Sequence, residues 1–237
     1  MKANIEIFDS KDAIAHYLAD YIKKQQQQKS ELYIALSGGS TPKTIFKIWA
    51  QEYAKSIDWA SIKFFWGDER CVPPDDIESN FGMTKEYLFD HVGTKGINIF
   101  RVKGELTNQQ ALEDYISCIE ENVPYSNHLP QFDIMLLGMG DDGHTASIFP
   151  HQIELWKSDE ICTLAQHPLS GQVRVSLTGK TINNSEKIFF LVTGANKAEK
   201  AEEIINQSGN YKNYPASLVS NKQTTWLLDS EAASKLK

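Results

Sequence analysis

Along the chain, short apolar runs alternate with longer stretches whose apolar positions return every three or four residues. The first pattern marks strands buried on both faces of a parallel sheet, and the second marks amphipathic helices. Strands are predicted at Asn4–Phe8, Leu32–Leu36, Ile62–Trp66, Ile97–Arg101, Phe132–Leu137, Val173–Leu177, Lys187–Thr193 and Thr225–Leu228. A first helix follows Ser10, a natural cap, with Ile14, Tyr17, Leu18, Tyr21 and Ile22 at helical spacing and a polar tail at Lys23–Lys29. Further helices are predicted at Pro42–Tyr53, Asn80–Asp90, Ala111–Glu121 and Lys197–Asn206, with a terminal helix from Ser230. This alternation predicts an α/β fold, a single domain over residues 1–237 with a largely parallel sheet flanked by helices. No repeat or composition break marks a linker, and Asn122–Pro130 reads as the loosest stretch.

Composition narrows the class of function. With 237 residues, 41% of them hydrophobic and 23% charged, the chain can bury a sizeable core. A net charge of -7 argues against a nucleic-acid partner but not against a phosphorylated small molecule held in a local cationic pocket. Cys71, Cys118 and Cys162 are scattered and form no C-x-x-C, which reads as reduced core thiols of a cytoplasmic protein. Neither a signal-type segment nor a membrane-length apolar run is present, so no membrane partner is expected.

The chemistry concentrates where strands end. The run FDIMLLGMGDDGHTASIFP (132–150) leaves its apolar stretch on Gly138, Gly140 and Gly143 and delivers Asp141, Asp142 and His144. In open α/β sheets, ligands bind beyond the carboxyl ends of the strands. The run matches G-x-G-x-x-G, but two aspartates would repel a pyrophosphate, and Pro150 confines the following helix to about two turns. A second turn, Ser37-Gly38-Gly39-Ser40-Thr41-Pro42-Lys43, joins a strand to a helix. Thr41 suits the N-cap and Pro42 the first turn; the glycine N–H groups, the hydroxyls and Lys43 suit a phosphate. It is not a P-loop, and a plain strand-to-helix turn is the competing reading. Asp68, Glu69 and Arg70 follow the strand ending at Trp66. Alone they read as a surface ion group; beside the two glycine-rich turns, Arg70 reads as a phosphate fork.

His144 is the one histidine of six in such a setting. His16, His91, His128 and His167 read as surface or satisfied core residues, while His151 lies near enough in sequence to stay undecided. There is no H-E-x-x-H, no Cys/His cluster and no G-x-S-x-G, so neither a metal nor a serine nucleophile is indicated. A histidine beside an aspartate without a nucleophile fits a general base acting on water, and the sequence leaves open whether Asp142, Asp68 or neither orients it. Arg174 and Lys197 add cations; a lysine at a helix start opposes the helix dipole and so points to a ligand.

The segments LSGGSTPKTIF, FFWGDERCVPPDDIESNFGM, FDIMLLGMGDDGHTASIFP, RVSLTGKTIN, VTGANKAEK and WLLDSEAAS together resemble the 6-phosphogluconolactonase family over nearly the whole chain. The resemblance implies the fold of glucosamine-6-phosphate deaminase and ribose-5-phosphate isomerase. It implies hydrolysis of 6-phosphoglucono-δ-lactone in the oxidative pentose phosphate pathway, without metal or organic cofactor. The expected partner is a small-molecule sugar phosphate, and the expected state a monomer or small homo-oligomer. By the same resemblance His144 is the proposed base, Asp142 and Asp68 are family acids, and Ser37, Gly38, Gly39, Ser40, Thr41, Arg70, Arg174 and Lys197 contact substrate. The deaminases share the glycine-rich loop and the D-G-H core but place a glutamate shortly after the histidine. GHTASIFP has no acid there, which favours the lactonase. A non-catalytic sugar-phosphate sensor is a third reading, disfavoured because no DNA-binding or basic segment is appended.

Overall fold

The computed structural model describes residues 3–93, 96–220 and 222–236. In chain order the strands are β1 (Asn4–Phe8), β2 (Leu32–Leu36), β3 (Ile62–Trp66), β4 (Asp68–Arg70), β5 (Asn98–Ile99) and β6 (Tyr125–Ser126). Then come β7 (Leu129–Pro130), β8 (Ile134–Gly138), β9 (Cys162–Gln166), β10 (Val173–Leu177), β11 (Lys187–Val192) and β12 (Thr224–Asp229). The helices are α1 (Lys11–Gln26), α2 (Ser40–Glu52), α3 (Asn80–Thr84), α4 (Asp90–Val92), α5 (Asn108–Asn122), α6 (Gly179–Asn183) and α7 (Ala198–Ile205).

Seven strands form a fully parallel sheet in the order β1-β12-β11-β8-β2-β3-β5. Alternate residues of its central strands face opposite sides. Ile34, Phe64, Trp66, Leu136 and Phe189 pack with Ile14 and Leu18 of α1 and Phe46 and Trp49 of α2. Ala35, Phe65, Met135, Leu137 and Phe190 pack on the other side with Tyr115 and Ile119 of α5 and with Ala201 and Ile204 of α7. Each large side chain so buried contributes about 1.5–3 kcal/mol. The unbroken apolar runs of the central strands thus follow from being covered on both faces.

Several expectations need correction. Val173–Leu177 is a strand, but it lies between β4 and β9 in a separate three-stranded antiparallel sheet. No helix follows Ser230; residues 230–235 form turns, begun by Asp229 accepting the Ala232 N–H. The helix expected between Gly143 and Pro150 is absent, and Pro150 instead opens a 3-10 segment, Pro150–Lys157. The helix expected over Asn80–Asp90 continues to Val92, with a wider π turn at Lys85–Phe89 between α3 and α4. The stretch 122–130 is not loose: β6 and β7 close a hairpin on Asn127 and His128, both at positive φ, which is the geometry of a type I′ turn. Asn184 Nδ2 ties that hairpin down through the carbonyls of Ser126, Leu129 and Pro130.

All three cysteines are free. Burial pushes the thiols of Cys71, Cys118 and Cys162 up, Cys118 to about 11, so they stay protonated and act as core filler. Among the described residues, no helix is long and apolar enough to cross a membrane.

Candidate active site

The chain runs outward from β2 through β3 to β5, then returns to β8 on the other side of β2. The loops after β2 and β8 therefore leave neighbouring strands in opposite directions, which opens a crevice at the switch point. A cleft of about 430 Å³ lies there. Ser37, Gly38, Gly39, Ser40, Thr41, Asp68, Arg70, His144, Arg174 and Lys197 all line it, while Asp142 stands behind His144.

The β2 loop differs in detail from expectation. Gly39, at φ +106°, is the N-cap of α2, and no side chain caps the helix. That φ suits glycine, and Thr41 is inside the first turn with its hydroxyl on Thr193 Oγ1 at 2.6 Å. Because Thr41 is not the cap, the first N–H groups of α2 stay open to the cleft. Ser37 Oγ is buried without a hydrogen-bond partner. Gly38 packs against Asn80 so closely that a Cβ would lie 1.7 Å from its Oδ1. Lys43 is drawn away, its ammonium 4.3 Å from the Tyr87 ring centroid, so it is not part of the cleft lining.

On the β8 loop, Asp142 Oδ1 accepts from His144 Nδ1 at 2.6 Å and from the His144 backbone N–H at 3.1 Å. Burial opposes ionisation of Asp142, but the His144 hydrogen bonds and charge hold its carboxyl below the ordinary value. The imidazole leans on Phe149, 4.5 Å between centroids. Gly140 lies under the ring, where a Cβ would come within 2.1 Å of Nδ1. Asp68, the other candidate to orient His144, is instead hydrogen-bonded by Ser147 Oγ at 2.6 Å.

The small antiparallel sheet supplies the arginines. Arg174 on β10 is directly opposite Arg70 on β4. Burial and the neighbouring Arg70 both lower the Arg174 guanidinium from its usual value. Like charges directly opposite each other destabilise a strand pair, so this corner favours an anion. Arg70 Nη1 donates to the Glu78 carbonyl, and its Nε is buried without a partner. Lys197 bridges to Asp141 at 2.5 Å across the cleft mouth, and Asn196 Nδ2 donates to the same oxygen.

Sequence reasoning missed four contributors. Asn80 lines the cleft and donates to the Asp68 carbonyl at 2.9 Å. Ser147 holds Asp68, and Asp229 accepts the Gly194 N–H that shapes the loop before Lys197. Lys11, in the first turn of α1, also lines the cleft. Its signal was present, because it opposes a helix dipole as Lys197 does. His167, read as unremarkable, lies close, edge-on to Phe149 at 5.3 Å, and His151, left undecided, is 5.9 Å from the same ring.

Known proteins resemble this chain in sequence and fold. The family model for glucosamine-6-phosphate isomerases/6-phosphogluconolactonase matches residues 9–227. A 6-phosphogluconolactonase of Treponema pallidum (strain Nichols) is 47% identical over 193 residues, 81% of this chain and 80% of that protein. The crystal structure of the devB protein superposes with a TM-score of 0.92 at 43% identity, covering 99% of each chain. A monomeric glucosamine-6-phosphate deaminase of the NagB superfamily, 19% identical, shares the fold with a TM-score of 0.82 over 98% of this chain and 99% of its own. The chain belongs to the glucosamine-6-phosphate isomerase/6-phosphogluconolactonase family.

Proposed function

We propose that this chain, as one domain, hydrolyses 6-phosphoglucono-δ-lactone to 6-phosphogluconate, the lactonase step of the oxidative pentose phosphate pathway, with His144 as general base. The observation that carries the mechanism is the His144–Asp142 pair at 2.6 Å, set in a cleft that also gathers Arg70, Arg174 and the open start of α2. A carboxylate on Nδ1 keeps the proton there and leaves Nε2 free to act as a base. Nε2 takes a proton from water, and the water oxygen attacks the lactone carbonyl. The tetrahedral oxyanion is stabilised by nearby N–H groups or a cation. The C1–O5 bond then breaks, and the imidazolium returns its proton to the ring oxygen.

The phosphate is held by the Ser37–Thr41 backbone with Arg70, and by Arg174 and Lys197 around it. An uncapped helix start and the unpartnered Ser37 Oγ and Arg70 Nε support this placement, since each lacks a protein partner that an oxyanion supplies. Binding energy gathered there serves to orient the reacting carbonyl. Against a deaminase reading, Thr145 and Ser147 are hydrogen-bonded to Gly138 and Asp68, and no acid follows His144 before Pro150. The same reading makes the protein a cytoplasmic enzyme of a small-molecule sugar phosphate, a monomer or small homo-oligomer.

His144→Ala tests it. General-base help is typically about 10²- to 10⁴-fold, so turnover falls on that scale while 6-phosphogluconate still binds. Turnover near wild type, after subtraction of spontaneous lactone hydrolysis, sinks the assignment.

A further inference from the structure

The proposed mechanism leaves Glu69 without a task. It is 2% exposed, and strand alternation turns it away from the cleft that Asp68 and Arg70 line on either side of it. Its Oε1 accepts the backbone N–H groups of Arg70 and Asn80, each at 2.8 Å. Its Oε2 accepts the Phe81 N–H at 2.8 Å and the Ser79 hydroxyl at 3.2 Å. All four partners are donors, which is the coordination of a carboxylate anion; a carboxyl proton would have to displace at least one of them.

The contacts link the two parts of the site that are separated by the 71–79 loop. Asn80, fixed at the start of α3, reaches back to the Asp68 carbonyl and stands against Gly38 in the β2 loop. Arg70 is tied to the far end of the same loop through the Glu78 carbonyl. We propose that Glu69 is a positioning residue: its buried carboxylate clamps β4 to the start of α3 and so sets Arg70 and Asn80 for substrate binding, without touching substrate. The inference rests on the lactonase reading of the cleft. It concerns affinity, because His144 and Asp142 sit on a different loop.

A pH dependence follows. Burial pushes the Glu69 carboxyl up to about 7, against the lowering effect of its backbone donors. The charged and titratable groups near enough to act on it are Asp68 and Cys71 from its own strand and exit, Arg174 from β10, Arg101 before α5, and Tyr115 of α5, while Arg70 meets it through its backbone N–H. Above pH 7 the clamp is closed; below it, protonation releases donors.

The test is Glu69→Gln, with kcat and KM for the lactone measured from pH 6 to 8. At pH 8 the amide raises KM about tenfold, the scale of one charge-assisted hydrogen bond, and leaves kcat within about twofold. The variant-to-wild-type KM ratio falls toward one at pH 6, and ionisation of the substrate phosphate cancels in that ratio. A KM ratio of one throughout, or a loss confined to kcat, overturns the proposal. Wild-type protein that leaves the lactone untouched overturns the functional reading instead. If the variant does not fold, NMR of the wild-type protein decides: the Asn80 and Phe81 amide protons titrate with a midpoint near 7, and flat shifts between pH 6 and 8 overturn the clamp.

Discussion

Asp142 is the sharpest place to perturb the proposed chemistry, because both of its contacts to His144 fall on one oxygen. Oδ1 accepts from the ring Nδ1 and from the backbone N–H of the same residue. In Asp142→Asn the amide oxygen is the only atom that can accept from that backbone N–H, so it keeps the Oδ1 place and the ring keeps its tautomer. What disappears is the charge facing the imidazolium formed during the reaction. A hydrogen bond to a charged group contributes about 1.5–3 kcal/mol and a neutral one about 1 kcal/mol. The side chain is 41% exposed, so solvent screening takes the difference toward its lower end, about 0.5–1 kcal/mol. The expected loss in kcat is about two- to fivefold. Asp142→Ala also loses orientation of the ring and falls further, about a hundredfold, within the range of general-base contributions. The assay generates the lactone enzymatically, follows its disappearance and subtracts the spontaneous rate, with 6-phosphogluconate binding measured in parallel. Asp142→Ala within twofold of wild type refutes the orienting role. Asp142→Asn as impaired as His144→Ala refutes the argument that the amide preserves the tautomer.

Two further outcomes concern stability. The Tyr115 hydroxyl, fully buried, accepts the Trp66 N–H at 2.8 Å and donates to the Trp66 carbonyl at 2.7 Å, closing the end of β3. Tyr115→Phe strands both groups and costs about 1–3 kcal/mol, seen as a Tm lower by about 2–12 °C; an unchanged Tm contradicts it. Glu69 sets a slope of stability with pH. Its carboxyl rises from an ordinary 4.5 to about 7 on folding, so between those values the native state holds a proton that the unfolded chain has released. Stability from this group is full below pH 4.5 and is lost as pH rises through 7, by about 3 kcal/mol in all. In urea unfolding at pH 5, 6, 7 and 8, wild type loses stability relative to Glu69→Gln across that window; a difference that is flat or of opposite sign rejects the shift.

The sequence was most legible where one physical cause dominated. β2, β3 and β11 read directly because strands covered on both faces need unbroken apolar runs, and both clusters of the core run through them. β4 and β9 escaped notice because β4 is three charged residues without an apolar position, and β9, CTLAQ, is a short mixed run without strict alternation. Val173–Leu177 read as a strand, but the pairing that sets Arg174 opposite Arg70 depends on a register no local pattern reveals. The capping error at Thr41 had a similar root. Hydroxyl residues at a helix start favour the cap, but here a long-range bond to Thr193 takes the hydroxyl and Gly39 takes the turn. Lys43 was misassigned because its neighbours in sequence face the cleft while its own position on α2 faces Tyr87.

Several departures from ordinary folding rules lie around this cleft. Arg70 and Arg174 are paired with each other, Ser37 Oγ is buried without a partner, and α2 has no side-chain cap. Ala146, at φ +47°, holds a left-handed conformation that costs a non-glycine residue about 1–2 kcal/mol, and it too lines the cleft. Glu69 is an acid whose ionised form weakens the fold above pH 7. A stranded polar group alone costs about 1–3 kcal/mol, so selection for stability would have removed such features singly. An anion with several acceptor oxygens answers the paired arginines, the hydroxyl and the open helix start at once. The turn at Ala146 and the Glu69 clamp answer a different need, since they hold backbone next to His144 and Arg70 in place. Strain of both kinds in a single crevice is what a site built to bind and orient a phosphorylated substrate requires, and a purely structural turn has no use for either.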